Sequence, residues 1–385
     1  MRVLGKGKTA LAIKEVFPEA ELFDDTDKES YNINSDELTI VSPGFPPYNY
    51  LVENTKNKQS DYDLFLTEDM FTIWISGTNG KTTTTQMIDH LLKVDNFTCG
   101  GNIGTPLASL DGKSERIILE TSSFTLHYTN KVKPNIYILL PISDDHLSWH
   151  GSFSEYEKAK LKPITMMEKD DIAIIPSKYK DISSEATIYF YKDSEDLINE
   201  FQIEKEKIRF SEPFLLDSLL ALATQKLVNG KLDYKQINSY TVDKHKVEEF
   251  KDNKQRIWID DSKATNVDAT IWALKGYKQM KIYLILGGDD KGADLNPLFN
   301  ELQNYKCEIY CVGTNTDRLI ELSKEYNLEA NRCNTLDIAV ENINRFFIDK
   351  ENEVAMLSPA AASLDQFNSY KARGEMFKKL VKNIK

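Results

Sequence analysis

One short segment constrains this chain more than any other, the glycine-rich run GTNGKT at residues 77–82. The apolar stretch Phe71–Ser76 before it is typical of a buried strand, and the apolar residues after it recur with helical spacing. In a strand-loop-helix unit of this kind, backbone N–H groups and the helix N-terminus point at an anion. Lys81 can reach the terminal phosphates of a nucleotide, and the Thr82 hydroxyl can bind Mg²⁺. The segment therefore predicts a site for a nucleoside triphosphate.

The run departs from the full phosphate-loop pattern at one position, since a further glycine is expected where this chain has Ile75. A glycine turn that arose by chance is the alternative interpretation. The predicted strand and helix on its two sides, and Thr82 directly after Lys81, favour nucleotide binding. The loop alone does not identify a reaction.

Strand candidates alternate with helical segments along the whole chain, which predicts an α/β protein with parallel sheets. A length of 385 residues suggests two or three domains. A polar stretch at 53–63 separates the first unit from the next. We predict three domains in series, which are a Rossmann-like domain at 1–67, a central P-loop ATPase-type domain with a parallel sheet at 68–242, and a C-terminal Rossmann-like domain at 243–385.

Composition excludes several classes of protein. The net charge of −12 argues against a general nucleic-acid or anionic-membrane surface, because both need clustered cations. The 4 cysteines form no CxxC pair, and Cys307 and Cys311 share one face of a predicted strand, where packing is the expected role. The N-terminus has no apolar signal-peptide core, and the longest apolar run, 136–142, is too short to span a bilayer. We expect a cytoplasmic protein without membrane insertion.

The N-terminus carries a second glycine motif, GKGKTA at 5–10, with Asp24 about twenty residues later. This pattern fits the dinucleotide fingerprint and by itself suggests an NAD enzyme. The same turn can instead bind the diphosphate of another nucleotide, because both ligands need backbone N–H groups on a pyrophosphate. The motif cannot separate the two interpretations.

Five further segments accompany the phosphate loop in a fixed order. They are GNIG at 101–104, ETSSF at 120–124, SDDHL at 143–147, DSKATN at 261–266, and LSPA at 357–360 with ASLD at 362–365. Together with the loop, these segments resemble the motifs of the Mur ligases of peptidoglycan synthesis. The resemblance spans nearly the whole chain. Within the family it is to the branch that adds D-glutamate to UDP-N-acetylmuramoyl-L-alanine.

The resemblance implies a reaction in two steps. ATP phosphorylates the alanyl carboxylate of the UDP-sugar substrate, and the amine of D-glutamate then attacks the acyl phosphate, which releases phosphate and leaves an amide. Both ATP and the carboxylate are anionic, so metal ions and lysines must neutralise their charge. The implied cofactors are ATP and Mg²⁺ at two sites, the implied partners are the two small substrates, and we expect a monomer.

The resemblance also assigns residues to the nucleotide and the metal. The catalytic candidates are Lys81, Asn102, His146, Lys160 and Lys263. The metal-ligand candidates are Thr82, Glu120, His146 and Lys160, and the family converts the lysine at the last position to a carbamate with CO₂. The ATP contacts are Gly77, Thr78, Asn79, Gly80, Lys81, Thr82, Thr83 and Asp261.

Two substrate sites follow from the same resemblance. The UDP-sugar contacts are Lys8, Thr9, Gly44, Asn102 and Ser122. The D-glutamate contacts are Thr265, Lys291, Ser363, Leu364 and Tyr370. From the residues alone, Lys160 is one exposed helix lysine among several and Lys291 lies in a turn. His150, four residues after His146, has no support from the motif.

The chain departs from the family pattern at four places. Pro163 removes the backbone N–H that would bond to the Ala159 carbonyl, which predicts a helix kink beside Lys160. The chain has Lys246 after His245 where relatives carry Arg, which keeps the charge but loses the planar fork. It has Pro213 and Phe214, and then Asp217, where relatives carry His-Asn and a further Asn near the adenine. Tyr370 replaces a Phe and adds a hydroxyl.

Three other functions remain open at this point. The nearest is a different amide ligase of the superfamily, such as another Mur ligase or folylpolyglutamate synthase, which would share the fold. The second is the NAD enzyme suggested by the N-terminal turn. The third is a non-catalytic nucleotide-binding switch, which would need the phosphate loop but not Glu120, His146, Lys160 and Lys263 together.

Overall fold

The computed structural model describes residues 1–110, 112 and 114–384, and within this range it has three sheets and two compact units. The first unit comprises Met1–Phe210 and Phe214–Tyr240, and the second comprises Ser211–Pro213 and the chain from Thr241 onward. The α/β class and the parallel sheets are confirmed. The division at residues 67 and 242 into three domains stays a prediction.

The N-terminal sheet is parallel and small. Its strands are β1 (Arg2–Leu4), β2 (Glu21–Phe23), β3 (Thr39–Val41) and β4 (Lys58–Gln59), and its helices are α1 (Lys8–Val16), α2 (Tyr50–Glu53) and α3 (Asp61–Phe65). The strand order is β2-β1-β3-β4. Val3 pairs with Ile40 in adjacent strands, and both side chains are fully buried. The sequence suggested that the stretch 53–63 was a polar connector, but it contains β4 and the start of α3. Ser60 and Asp63 form a capping box at the N-terminus of α3.

The central sheet carries the phosphate loop. Its strands are β5 (Phe71–Ser76), β6 (Thr98–Gly101), β7 (Arg116–Glu120), β8 (Ile136–Leu139), β9 (Ile172–Pro176) and β10 (Thr187–Tyr191). Its helices are α4 (Lys81–Leu92), α5 (Ser123–Tyr128), α6 (Leu147–His150), α7 (Phe153–Met166), α8 (Ser194–Phe201), α9 (Phe214–Asn229) and α10 (Tyr234–Ser239). The strands run parallel in the order β10-β9-β8-β5-β7-β6.

The register of the central sheet brings three chain segments to one edge. Ile75 of β5 pairs with Glu120 of β7, and Ser76 pairs with Leu139 of β8. The carboxyl ends of these parallel strands therefore lie side by side, which is where α/β sheets bind ligands. Ile73, Trp74 and Ile75 are completely buried in the core beneath this edge.

The C-terminal sheet belongs to the second unit. Its strands are β11 (Glu248–Lys251), β12 (Ile257–Asp260), β13 (Lys281–Leu286), β14 (Lys306–Val312), β15 (Glu329–Asn334) and β16 (Glu353–Leu357). Its helices are α11 (Val267–Lys275), α12 (Asn296–Leu302), α13 (Thr316–Glu325), α14 (Leu336–Phe346) and α15 (Tyr370–Lys382). The order is β11-β12-β16-β13-β14-β15, with β11 antiparallel to β12 and the other pairs parallel. Cys307 and Cys311 lie in β14 and pack into the same apolar cluster, as predicted.

Short 3₁₀ helices complete the secondary structure. They span Asp25–Asp27, Lys93–Asp95, Leu107–Leu110, Ser177–Tyr179 and Lys205–Lys207. Among the described residues, no helix combines the length and the apolar character that crossing a membrane requires.

Helix α15 packs against the C-terminal sheet through a glycine. A Cβ atom on Gly374 would lie 2.3 Å from Nδ1 of His245 and 2.8 Å from Oδ2 of Asp260. The ring of His245 and the carboxylate of Asp260 are buried and hydrogen-bonded to each other at 2.6 Å. The absence of a side chain at Gly374 therefore lets the helix approach this pair closely.

We expect Gly374→Ala to destabilise the protein although alanine is the better helix former. Alanine favours a helix over glycine by about 1 kcal/mol, but forcing a methyl group against the buried His245–Asp260 pair costs about 1–3 kcal/mol. Urea unfolding measures the difference. Gly44→Ala is the control, since nothing lies within 4 Å of a Cβ there. Equal stability of both variants would contradict the packing argument.

Candidate active site

The phosphate loop lies between β5 and α4, and two of its glycines adopt backbone angles that other residues rarely reach. Gly77 has a φ of 138° and Gly80 a φ of 83°. A Cβ atom on Gly77 would also lie 2.6 Å from Cβ of Leu140. The Lys81 ammonium donates to the carbonyl oxygens of Gly77 at 2.9 Å and Thr78 at 2.8 Å. The ammonium group of Lys81 is thus hydrogen-bonded to the backbone of the loop to which it belongs.

Ile75 stands where a longer phosphate loop has another glycine. It belongs to β5 and is completely buried. Because the strand continues to Ser76, the loop begins only at Gly77, which accounts for the shortened motif.

A carboxylate lies directly behind the loop. Asp217, from α9, is 5% exposed and accepts a hydrogen bond from the Thr84 hydroxyl at 2.7 Å. A Cβ atom on Gly80 would lie 2.7 Å from the same carboxylate oxygen. Asp217, which the family resemblance placed near the adenine, is therefore found supporting the first turns of α4.

Two predicted site residues meet at the carboxyl end of β7. The Asn102 side-chain amide donates to Oε1 of Glu120 at 2.7 Å, and its backbone N–H donates to the Glu120 carbonyl oxygen at 2.8 Å. Oε2 of Glu120 is buried and has no hydrogen-bond partner in the described part of the chain. A buried carboxylate oxygen without a partner is costly, and oxygen is the ligand type that Mg²⁺ prefers. Glu120 therefore fits a metal ligand, and the partly exposed Thr82 lies in the first turn of α4.

His146 immediately precedes α6 and has strained backbone. Its φ is 54°, which is uncommon for a residue other than glycine and is often found at functional sites. The imidazole is about half exposed, with Nε2 3.5 Å from Oδ2 of Asp145. Its ring lies 4.7 Å from the ring of Phe124, which belongs to α5. Ser122 caps that helix by accepting from the Thr125 N–H at 3.0 Å.

Lys160 is buried, in contrast to the exposed helix lysine that its sequence context suggested. Only 1% of it is exposed, and its ammonium donates to the Gly77 carbonyl oxygen at 2.7 Å. The ammonium also lies 4.8 Å from the centre of the Tyr156 ring. Burial lowers the pKa of Lys160 well below its usual value, and the charge of Lys81 lowers it further. Glu120 and Asp145 act in the opposite direction, so these groups share one electrostatic environment.

At the N-terminal glycine turn, no side chain of the described residues caps helix α1, and the acidic residue of the motif is already paired with a lysine. Lys8 and Thr9 are the first residues of α1, and Gly7 caps this helix without a side-chain hydrogen bond. Asp24, the acid of the dinucleotide pattern, lies 3.0 Å from the Lys6 ammonium. Hydrogen bonds from Thr26 lower the pKa of Asp24, and the bond from Lys6 adds to them. The carboxylate is thus already engaged, unlike an acid that is free to bind a ribose.

Gly44, the third predicted contact of the UDP-sugar, is exposed in the loop after β3. The same loop contacts the central part of the unit, because the Phe45 carbonyl oxygen accepts from the Tyr128 hydroxyl at 2.7 Å. The Tyr48 hydroxyl likewise donates to the Ser148 carbonyl oxygen at 2.7 Å. Gly44 therefore belongs to a loop that reaches α5 and α6.

The predicted residues of the second unit gather at the carboxyl ends of its central strands. Asp261 is buried after β12 and accepts from the Ser358 hydroxyl at 2.6 Å. Burial raises the pKa of Asp261 to about 8. The ammonium of Lys263 lies 4.6 Å from the centre of the Tyr370 ring, so these two predicted residues meet.

The loop with Lys291 is tied to the segment with Ser363 by backbone hydrogen bonds. Asp289 and Ala362 exchange bonds of 3.0 and 2.9 Å. Lys291 is exposed and has a φ of 53°. Ser363 is 3% exposed, whereas the remaining members of the predicted D-glutamate set, Thr265 and Leu364, are exposed.

A separate set of ligand-type side chains lies in the second unit, where His245, Glu248 and Asp260 offer atoms within 4.8 Å of one another. The Lys378 ammonium is 3.1 Å from Glu248 and 3.8 Å from Asp260. Because a cation already neutralises these carboxylates, the cluster is an ion-pair network.

Comparison with known proteins identifies the relatives of this chain. Residues 75–214 match the model of the Mur ligase middle domain. A UDP-N-acetylmuramoylalanine--D-glutamate ligase of Campylobacter jejuni is 47% identical over 99% of both chains. One from Helicobacter pylori is 44% identical over 98% of both chains. The chain belongs to the Mur ligase family.

Solved structures show that this Mur ligase shares its fold with more distant proteins. MurF ligase from Thermotoga maritima, solved in complex with ADP, superposes with a TM-score of 0.60 at 14% identity, covering 99% of this chain and 93% of that chain. A folylpolyglutamate synthase of Mycobacterium tuberculosis gives a TM-score of 0.56 at 12% identity, covering 80% of this chain and 91% of that chain.

Three side chains that contact predicted site segments of this Mur ligase, two in the first unit and one in the second, were missed from the sequence. The Tyr156 hydroxyl shares a hydrogen bond of 2.9 Å with the hydroxyl of Thr78 in the phosphate loop. His150 is buried and shares one of 2.9 Å with the Ser123 hydroxyl. Arg373 is buried and donates to the Ser262 hydroxyl at 2.9 Å. Tyr156, one turn before Lys160, and His150, one turn after His146, could have been found by helical spacing.

We expect Thr84→Val in this Mur ligase to destabilise the protein and to weaken ATP binding. The change removes the donor to Asp217, and a buried carboxylate that loses a partner costs about 1–3 kcal/mol. Thr85→Val is a matched control, because the Thr85 hydroxyl is buried without a hydrogen-bond partner in the described residues. Thermal unfolding and nucleotide titration measure both effects. A loss of stability in Thr85→Val as large as that in Thr84→Val would refute the role given to the bond.

Proposed function

We propose that this chain joins D-glutamate to UDP-N-acetylmuramoyl-L-alanine with ATP, through an acyl phosphate, releasing ADP and phosphate. The observation that carries the proposal lies beside the phosphate loop, where Lys160 is buried and one buried oxygen of Glu120 has no hydrogen-bond partner among the described residues. A nucleotide switch needs the loop alone. The full-length relatives named for this reaction support the choice of substrates.

The first step requires that two anions meet. A carboxylate oxygen of the substrate attacks the γ-phosphorus, and the bond to the ADP oxygen breaks. Lys81, at the start of α4, neutralises phosphate charge, and the backbone N–H groups of residues 77–82 bind phosphate oxygens. The Asn102 amide, which in this structure donates to Glu120, lies at the same strand edge and can donate to the transferred group.

Mg²⁺ fits the oxygen donors of this edge. Thr82 and Glu120 would hold one ion, with His146 and a modified Lys160 at a second. Bound there, Mg²⁺ would supply positive charge that shields the phosphates and polarises the reacting oxygens.

We propose that Lys160 carries a carbamate in the working enzyme. The low pKa that burial imposes favours a neutral amine, whose nitrogen can attack the carbon of CO₂ and then lose a proton. The product is an anion, and it relieves the repulsion between Lys160 and Lys81.

In the second step the amine of D-glutamate attacks the acyl carbon, loses a proton and displaces phosphate. We assign Lys263 to the phosphate, Asp261 to the nucleotide, and Thr265, Lys291, Ser363, Leu364 and Tyr370 to the amino acid. Lys291 offers a cation for the side-chain carboxylate, and the Tyr370 hydroxyl offers a hydrogen bond.

We assign Lys8, Thr9 and Gly44 to the UDP group and Ser122 to the alanyl end of the same substrate. The open N-terminus of α1 supports the first assignment, because an anion is favoured there. We also propose that the three sheets mark three domains, at 1–67, 68–242 and 243–385, in a monomeric cytoplasmic enzyme.

A two-substrate assay tests the function. We expect release of phosphate from ATP that depends on both UDP-N-acetylmuramoyl-L-alanine and D-glutamate, with L-glutamate much poorer. Parallel assays with other amino acids test the specificity. Hydrolysis that continues without either substrate, or binding of NAD alone, would exclude this ligase.

Removal of the Lys160 side chain tests the carbamate. We expect Lys160→Ala to abolish ligation while nucleotide binding persists, because the phosphate loop is intact. Short carboxylic acids added to the assay should restore part of the activity by supplying the missing anion. Lys158→Ala, on the exposed side of α7, is the matched control and should remain active. Full activity of Lys160→Ala without added acid would rule the carbamate out.

A further inference from the structure

His150 is a buried histidine that the proposed reaction does not use. It is 7% exposed, and its Nε2 shares a hydrogen bond of 2.9 Å with the Ser123 hydroxyl. Its ring stacks on Phe124, with centres 5.6 Å apart and planes at 26°. One ring nitrogen thus has a partner and one face has a packing surface, which fixes the orientation of the imidazole.

The bond to Ser123 joins two chain segments that carry candidate metal ligands. Ser123 is the first residue of α5 and follows Glu120 by three positions. His150 is the last residue of α6, and its backbone N–H donates to the His146 carbonyl oxygen at 3.1 Å. The side chain of His150 therefore connects the segment of Glu120 to the segment of His146.

A third contact extends this connection to the phosphate loop. The ring of His150 lies 5.3 Å from the ring of Tyr156, whose hydroxyl is bonded to Thr78. Tyr156 also lies under the ammonium of Lys160. His150 thus touches a residue that contacts both the loop and the buried lysine.

We propose that His150 is a positioning residue that fixes Glu120 and His146 relative to each other, so that both can bind Mg²⁺. The proposal rests on the proposed metal-dependent ligase function. Replacing a side chain that orients a metal ligand commonly lowers metal affinity by about 10–100-fold.

The packing of His150 suits such a role. Its Nδ1 is buried and has no hydrogen-bond partner among the described residues, so the bond at Nε2 is the polar contact of the ring. The rings of Phe124, Trp149 and Tyr156 surround the imidazole and hold it in place.

Four single variants and one double variant separate positioning from simple packing. His150→Phe keeps an aromatic ring for the stack on Phe124 but removes the hydrogen bond. Ser123→Ala removes the same bond from the other side, and the double variant shows whether the two changes act through one interaction. His150→Gln returns an amide near the position of Nε2. His127→Phe is the matched control, since His127 packs in the same aromatic cluster but is not bonded to Ser123.

Mn²⁺ binding to the full-length protein with ADP, followed by electron paramagnetic resonance, is the main measurement. We expect Mn²⁺ dissociation constants raised about tenfold or more in His150→Phe and Ser123→Ala. The double variant should show no further rise, His150→Gln should recover most of the affinity, and His127→Phe should match the wild type. The Mg²⁺ concentration needed for half-maximal ligation should rise in parallel.

Two results would overturn the proposal. One is a folded His150→Phe protein whose Mn²⁺ affinity equals that of His127→Phe, and the other is additive losses in the double variant. If His150→Phe does not fold, Ser123→Ala with unchanged affinity decides against it. A wild type without two-substrate activity would instead refute the proposed function, whereas an active wild type with these results refutes the role of His150 alone.

Discussion

A single carbonyl oxygen, that of Gly77, accepts hydrogen bonds from two lysines of the central site. Lys81 reaches it at 2.9 Å and Lys160 at 2.7 Å. Two ammonium groups on one acceptor would repel each other strongly where water is excluded, so the charge of Lys81 adds to burial in lowering the pKa of Lys160. The arrangement requires that Gly77 keep its left-handed backbone and that β5 and β8 stay in register, since Leu140 lies against the glycine.

The remainder of the site is arranged around these two lysines. Glu120 and Asp145 raise the pKa of Lys160 toward its usual value, while Asp217 lies behind the loop on Thr84. Each comes from a different stretch of chain that the parallel sheet and its helices bring to one edge. An anionic nucleotide, or an anionic group on Lys160, would complement the charge of Lys81 there.

Features set by neighbouring residues were predicted from the sequence, whereas features set by contacts between residues far apart in the chain were missed. The phosphate loop and its flanking elements were predicted correctly, because glycine angles, an apolar strand and helical spacing act over a few residues. The burial of Lys160 was not, since its partner Gly77 is 83 positions away. The bond between Thr84 and Asp217 spans 133 positions and was missed for the same reason. Strand β15, EANRCN, was missed because an edge strand with polar residues has no apolar signature.

Trp149 makes the central site observable by tryptophan fluorescence. Its indole lies 4.4 Å from the His150 ring and 4.6 Å from the Phe124 ring, within the aromatic cluster beside His146. Of the chain's 4 tryptophans, Trp74 and Trp258 are buried in cores, and Trp272 lies in α11 of the second unit. Indole emission responds to nearby charge and to the polarity of its surroundings. Trp149 therefore makes the ultraviolet fluorescence of the unlabelled protein a reporter of what enters or leaves the phosphate-loop edge.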